Sequence, residues 1–195
     1  MKITSNPKDR LIIVSESGQH TIDLIHPGSY AVFLENISGE LSVELLIEGV
    51  EVYIYGVYRG MKNEAYVLHT SQHHRAPHTN SNLLIRSVVD DESSFRYEGL
   101  IRIEKEGQSS HAYQKNQNLI LSPNAFVESK PNLEILANEV YCTHGSTTGR
   151  VNKEQLFYLQ TRGMTEGQAR SIIVEGFFGD IYEAIERFKN SSGSG

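Results

Sequence analysis

From Leu11 to about Val151 the chain is a succession of short stretches rich in β-branched and aromatic residues. This rhythm limits the possible folds more than any other feature. Leu41–Ile47 and Val50–Tyr55 partly alternate apolar and polar residues, as half-buried strands do. Asn82–Val89, Ser94–Ile103, Ala112–Leu121, Phe126–Ile135 and Val140–Val151 continue the series. Turn residues part them: Pro27-Gly28, Ser38-Gly39, Glu48-Gly49, Asp90-Asp91, Glu106-Gly107 and Ser122-Pro123-Asn124. About a dozen strands at spacings of roughly 8–12 residues admit a sandwich, a barrel or a β-helix. No short repeat of fixed period stands out, so pattern alone leaves the three open.

After Arg150 the period changes. Asn152 is placed to cap a helix with Gln155 at its third position, and Leu156, Phe157 and Leu159 with Gln160 make it short and amphipathic. Gly163 stands where a helix ends. Thr165 and Gln168 form a second capping box, followed by Ala169, Ile172 and Ile173 on one face. Gly176 and Gly179 are expected to interrupt this helix before Ile181, Ile185 and Phe188 form a last amphipathic piece. The division expected is a β body over 1–151, a helical segment over 152–189, and a flexible tail or appended linker over 190–195.

At 195 residues, 38% hydrophobic and 22% charged, the composition is that of an ordinary globular protein with one main domain. The formal net charge is −6 and no basic tract occurs, so nothing points to nucleic acid or anionic lipid as a partner. Apolar runs such as Leu11–Val14 are too short to span a bilayer, and Met1–Asn6 has no signal-peptide core. One cysteine permits no internal disulfide; a reducing, cytoplasmic setting is expected.

Few residues carry chemistry. Cys142 and His144 lie two apart in a strand-like segment, so both side chains share a face. Thiolate and imidazole both suit iron and iron–sulfur clusters, but two ligands hold no cluster alone. The plain alternative is a buried small hydrophobe and a hydrogen-bonded turn histidine. His69, His73, His74 and His78 invite a metal reading, yet they run from a strand end into a proline-containing loop and not along one helix face. Glu134 projects opposite to Leu133 and Ile135, which suits a surface ladder. No nucleophile elbow, Walker lysine or glycine-rich dinucleotide loop occurs.

The stretch Lys130-Pro131-Asn132-Leu133-Glu134-Ile135, then Val140-Tyr141-Cys142-Thr143-His144-Gly145, then Leu156-Phe157-Tyr158-Leu159 and Arg162-Gly163 resembles the C-terminal core of the SufB/SufD family. These are scaffold subunits of the SUF iron–sulfur cluster assembly machine. The resemblance covers about Ala65 to Glu186. It implies a mainly β fold, a right-handed parallel β-helix with a short C-terminal α-helical segment, in which Leu133 and Ile135 are buried. The family histidine implicated in cluster building falls on His144, with Cys142 beside it. The resemblance further implies a non-catalytic subunit that pairs with a SufB-like partner or with itself. An iron–sulfur cluster would be held transiently at the subunit interface, with none on the isolated chain. A SufC-type ABC ATPase would dock on the terminal helices, where Leu156, Phe157, Tyr158, Arg162, Phe177 and Phe178 stand; packing against the β body is the other reading of these aromatics.

Departures from the family place the chain nearer SufD. Ser122-Pro123-Asn124-Ala125 stands where the SufB branch has a cysteine, and Gly145 where SufB has a glutamate. The usual N-terminal helical domain is replaced by about sixty strand-like residues, so a short form of the family is expected. Two rivals remain at this level: an autonomous metal-binding β-helix protein using His69–His78, and a purely structural homologue that oligomerises.

Overall fold

The computed structural model describes residues 1–192. Among these residues twelve strands alternate between two parallel sheets. One sheet holds β1 (Lys2–Thr4), β3 (Gly18–Leu24), β5 (Gly39–Leu45), β7 (Ala65–His74), β9 (Ser94–Ile103) and β11 (Phe126–Ile135) in that order. The other holds β2 (Leu11–Val14), β4 (Gly28–Glu35), β6 (Val50–Gly60), β8 (Asn80–Val89), β10 (His111–Ile120) and β12 (Tyr141–Arg150). Each coil therefore gives one strand to each sheet, which makes a parallel β-helix, as the family resemblance implies.

The period is hidden because the coils differ in length. Lys2 stands opposite Thr21 and Leu11 opposite Ala31, steps of 19 and 20 residues. Ser94 stands opposite Phe126 and His111 opposite Tyr141, steps of 32 and 30. Corners absorb the variation, and Asn36, Lys62, His78, Asp91 and Ser109 take positive φ between 50° and 58° outside the strands or at their ends. Asn36 is suited to this geometry, and its Oδ1 also accepts a hydrogen bond from the Arg59 N–H at 2.7 Å.

Inward residues stack in columns along the axis. Ile22, Leu24, Val43, Leu45, Val32, Leu34, Val52 and Ile54 fill the first half. Towards the last coils the interior turns polar: Gln72, His74, Ser81, Ser87, Gln114, Asn116 and Asn118 are buried. His74 lies between two hydroxyls, its Nδ1 2.7 Å from Thr79 Oγ1 and its Nε2 2.8 Å from Ser81 Oγ. Burial, with a lesser push from His73, lowers its pKa from 6.5 to about 4. The unfolded chain therefore binds this proton below about pH 6.5 and the folded chain only below about pH 4. Unfolding takes up a proton in that window, so stability should fall as pH drops through it, by up to about 3 kcal/mol. Thermal melts of the wild type and of His74→Gln between pH 7 and about pH 4 check this. The variant should show a shallower loss, and parallel curves would refute the assignment.

The chain closes with α1 (Lys153–Thr161) and α2 (Glu166–Ser192). The caps are those read from sequence. Asn152 Oδ1 accepts from the N–H groups of Glu154 (2.8 Å) and Gln155 (3.4 Å). The Thr165 N–H donates to Gln168 Oε1 at 2.9 Å, and the Gln168 N–H donates to Thr165 Oγ1 at 3.3 Å. Gly163 takes φ 89° after α1. One expectation is corrected: Gly176 and Gly179 do not interrupt α2, which is continuous over 27 residues. A helical glycine costs only about 1 kcal/mol, and α2 offsets this by burying Phe178, Ile181 and Ile185 against Phe33, Val57 and Val88 of the second sheet. Of the tail expected over 190–195, residues 190–192 continue the helix and 193–195 lie outside the described residues. Among the described residues no helix is long and apolar enough to cross a membrane.

Candidate functional site

Strand β12 carries both expected ligands. Cys142 registers with Ala112 and His144 with Gln114, and both of those β10 residues face the interior. The shared face expected from the two-residue spacing is therefore the inner one. The two side chains differ in setting. Cys142 is half-buried and packs with Ile101, Ile103, Ala112, Ala137 and Val140. Burial pushes its thiol up to about 11, so it is protonated at neutral pH. His144 is exposed. It sits at the end of the β-helix, where among the described residues no further coil lies above β11 and β12.

That end is open, and this corrects another expectation. Leu133 and Ile135 do point inward, in register with the buried Ile101 and Ile103, yet they remain 38% and 39% exposed. Stacking covers a residue only when a coil lies on both sides, and here one side is solvent. Glu134 projects outward as expected, and its Oε2 accepts from Arg102 Nη1 at 3.3 Å.

The two edge strands are not equivalent. In β12 the Tyr141 N–H donates to Ser110 O (3.1 Å), so odd-numbered residues turn their backbone groups to β10. Cys142, His144, Ser146 and Thr148 turn theirs to the open edge. In β11 the Phe126 N–H donates to Ser93 O (3.0 Å), so even-numbered residues face β9 and odd-numbered ones the edge. Pro131 is odd-numbered. It removes a donor in mid-edge and blunts β11, whereas β12 keeps an uninterrupted row.

The four clustered histidines do not converge. His74 is inside the β-helix, and His73 is on the outer face between Glu44 Oε2 (3.1 Å) and Glu104 Oε1 (2.8 Å). His69 is exposed beside Glu98 at 3.6 Å, and His78 occupies a corner. Among the described residues no group of three or more His, Cys, Asp or Glu side chains is arranged to hold a metal.

The residues assigned to docking separate into two sets. Helix α1 buries none of its residues; Phe157 is 68% exposed and Tyr158 56%. Leu156 is partly exposed, and the Arg162 guanidinium lies 5.2 Å from the Tyr158 ring centroid. Phe178, by contrast, is fully buried between α2 and the second sheet, and Phe177 packs beside it under Arg86. Both of these pack against the second sheet. Arg86 pins the helix, donating to Asp180 and to the Phe177 carbonyl. Sequence reading missed the buried amides Gln72, Gln114, Asn116 and Asn118. In His111-Ala112-Tyr113-Gln114-Lys115-Asn116-Gln117-Asn118 both faces are polar, so alternation gives no inside.

The architecture defines an open-ended parallel β-helix with an appended helical pair. The profile of the family described as "SUF system FeS cluster assembly, SufBD core domain" matches residues 31–177, and the chain belongs to this family. The match begins well before Ala65, so the early coils are part of it. The chain is 33% identical over 144 residues to iron-sulfur cluster assembly protein SufD of Escherichia coli, covering 74% of this chain and 34% of that protein. It is 34% identical over 109 residues to SufBD family protein slr0076 of Synechocystis, covering 56% of this chain and 24% of the relative. It is 38% identical over 120 residues to SufBD family protein Rv1462 of Mycobacterium tuberculosis, covering 57% and 30%. The chain thus spans about a third or less of the length of these curated relatives.

Proposed function

We propose that the chain is a SufD-like, non-catalytic scaffold subunit of a cytoplasmic iron–sulfur cluster assembly complex. The observation that carries this is the open end, where exposed His144, half-exposed Leu133 and Ile135, and the unblunted edge of β12 lie together. A partner covering this end would bury the apolar pair and extend the second sheet by strand addition to β12. A SufB-like subunit or a second copy fits; two copies related by a twofold axis would pair β12 antiparallel with its symmetry mate. His144 would then offer one ligand to iron or to a cluster carried as cargo at the junction, the remaining ligands coming from the partner. Cys142 would contribute only on leaving its apolar seat and losing its proton.

The pairing is tested by Ser146→Pro. Ser146 is exposed and its N–H points to the open edge, so the substitution removes a donor that the fold does not use. The isolated chain should melt as before. One edge hydrogen bond contributes about 0.5–1.5 kcal/mol, and a twofold interface counts it twice, so self-association should weaken about 5- to 150-fold. Undiminished association with either a second copy or a SufB-like subunit would place the junction elsewhere.

The exposed face of α1 is proposed as the seat of a SufC-type ABC ATPase, with Leu156, Phe157, Tyr158 and Arg162 as its contacts. Aromatic side chains this exposed on a helix that buries nothing of its own suit a partner's pocket. Phe157→Ala with Tyr158→Ala should leave the melting temperature unchanged and weaken co-purification of the ATPase by about 10-fold or more. Full retention of the ATPase would remove α1 from the docking surface.

A further inference from the structure

One inward column of the second sheet runs Val32, Ile54, Leu83, Gln114, His144. The first three are apolar and buried. Gln114, directly below His144 in the ladder, is also fully buried. It accepts a long hydrogen bond at Oε1 from Gln72 Nε2, at 3.4 Å. Its own Nε2, and Gln72 Oε1, have no partner among the described residues. The neighbouring wall is cut to admit this amide: a Cβ at Gly99 would lie 2.5 Å from Gln114 Nε2. A glutamine stands here, where the previous coil has Leu83, and one end of its amide is left unused in the buried interior.

Another inward column, further along the same strands, shows how this interior satisfies such groups. Ser87, Asn118 and Thr148 occupy successive coils in register. Ser87 Oγ donates to Asn118 Oδ1 at 2.7 Å, and Asn118 Nδ2 donates to Thr148 Oγ1 at 3.3 Å. Leu83, Gln114 and His144 stand in the same relation four residues earlier.

We propose that Gln114 is a positioning residue for His144: its buried carboxamide bonds one ring nitrogen from below, fixes the tautomer, and turns the other nitrogen to the open end. The proposal rests on reading His144 as an iron ligand. A nitrogen that binds metal carries no proton, so the other must carry it and needs an acceptor. The Gln72–Gln114 pair can supply one. The two ends of an amide are nearly isosteric; turning both amides over keeps their mutual hydrogen bond, with its direction reversed. The Gln114 oxygen then stands where its nitrogen stood.

The test uses the full chain with 15N-labelled histidine, at about pH 8.5, above the ordinary histidine range. His144 ring signals are assigned by their loss in His144→Ala. One tautomer should dominate in the wild type. In Gln114→Met, which keeps the volume and removes the amide, both tautomers should be populated. Iron affinity of the assembled complex should fall about 10- to 100-fold. Should that variant not fold, Gln114→Asn, which withdraws the amide by one methylene, is read in the same way. An unchanged His144 spectrum overturns the proposal. If His144→Ala loses iron while Gln114→Met leaves the tautomer unmoved, positioning fails and the ligand reading stands. If His144→Ala retains iron while Gln114→Met shifts the tautomer, the ligand reading fails and the hydrogen bond stands.

Discussion

Replacing Phe178 by alanine is expected to destabilise the protein by about 3–5 kcal/mol. The ring is fully buried, held in the cluster that Phe33, Val57 and Val88 form with Ile181 and Ile185. The Arg59 guanidinium lies 4.8 Å from its centroid, and Phe177 and Tyr182 meet it edge-on. Alanine removes the apolar contacts and leaves Arg59 facing a cavity. Chemical denaturation of this variant beside Phe157→Ala gives the contrast, since Phe157 is exposed and its removal should change stability by less than about 0.5 kcal/mol. Equal effects would mean that α2 is not anchored as described.

The contrast marks what the sequence allowed to be read. Two aromatic segments, Leu156–Leu159 and Phe177–Phe178, looked alike as strings. Their difference depends on which helix meets the second sheet, and that sheet's outer face is legible only once β4, β6 and β8 are known to be neighbours. Local signals fared better. Caps at Asn152 and Thr165 and the end at Gly163 were readable because each is a short-range hydrogen-bond or backbone requirement. The uninterrupted α2 was not, because tertiary burial of Ile181 and Ile185 outweighs two glycines.

For the β body, strand positions followed from composition and turns, but the choice of a β-helix came from the family resemblance. Coils of 19 to 32 residues erase the repeat that would have shown it. At the candidate site, the common face of Cys142 and His144 followed from the period of a strand. That this face is the inner one, and that the last coil is uncovered, did not. Inward Leu133 and Ile135 look like core residues in sequence whatever lies above them. The role of Pro131 is likewise invisible until the parity of hydrogen bonding in β11 is known.

His144 carries the central claim. It is exposed on the uncovered inner face of the last coil, so its imidazole is available to a partner's ligands and adds little to the fold of the single chain. His144→Ala should therefore abolish iron or cluster retention by the assembled complex and leave the melting temperature nearly unchanged. A histidine serving only the fold would behave oppositely, its loss lowering stability by about 1–3 kcal/mol through broken hydrogen bonds while iron stayed bound. The deciding measurement is iron stoichiometry and melting temperature on the same anaerobic preparation of wild-type and His144→Ala complexes. Loss of iron at constant melting temperature is the predicted result; full iron content in the variant would contradict the account.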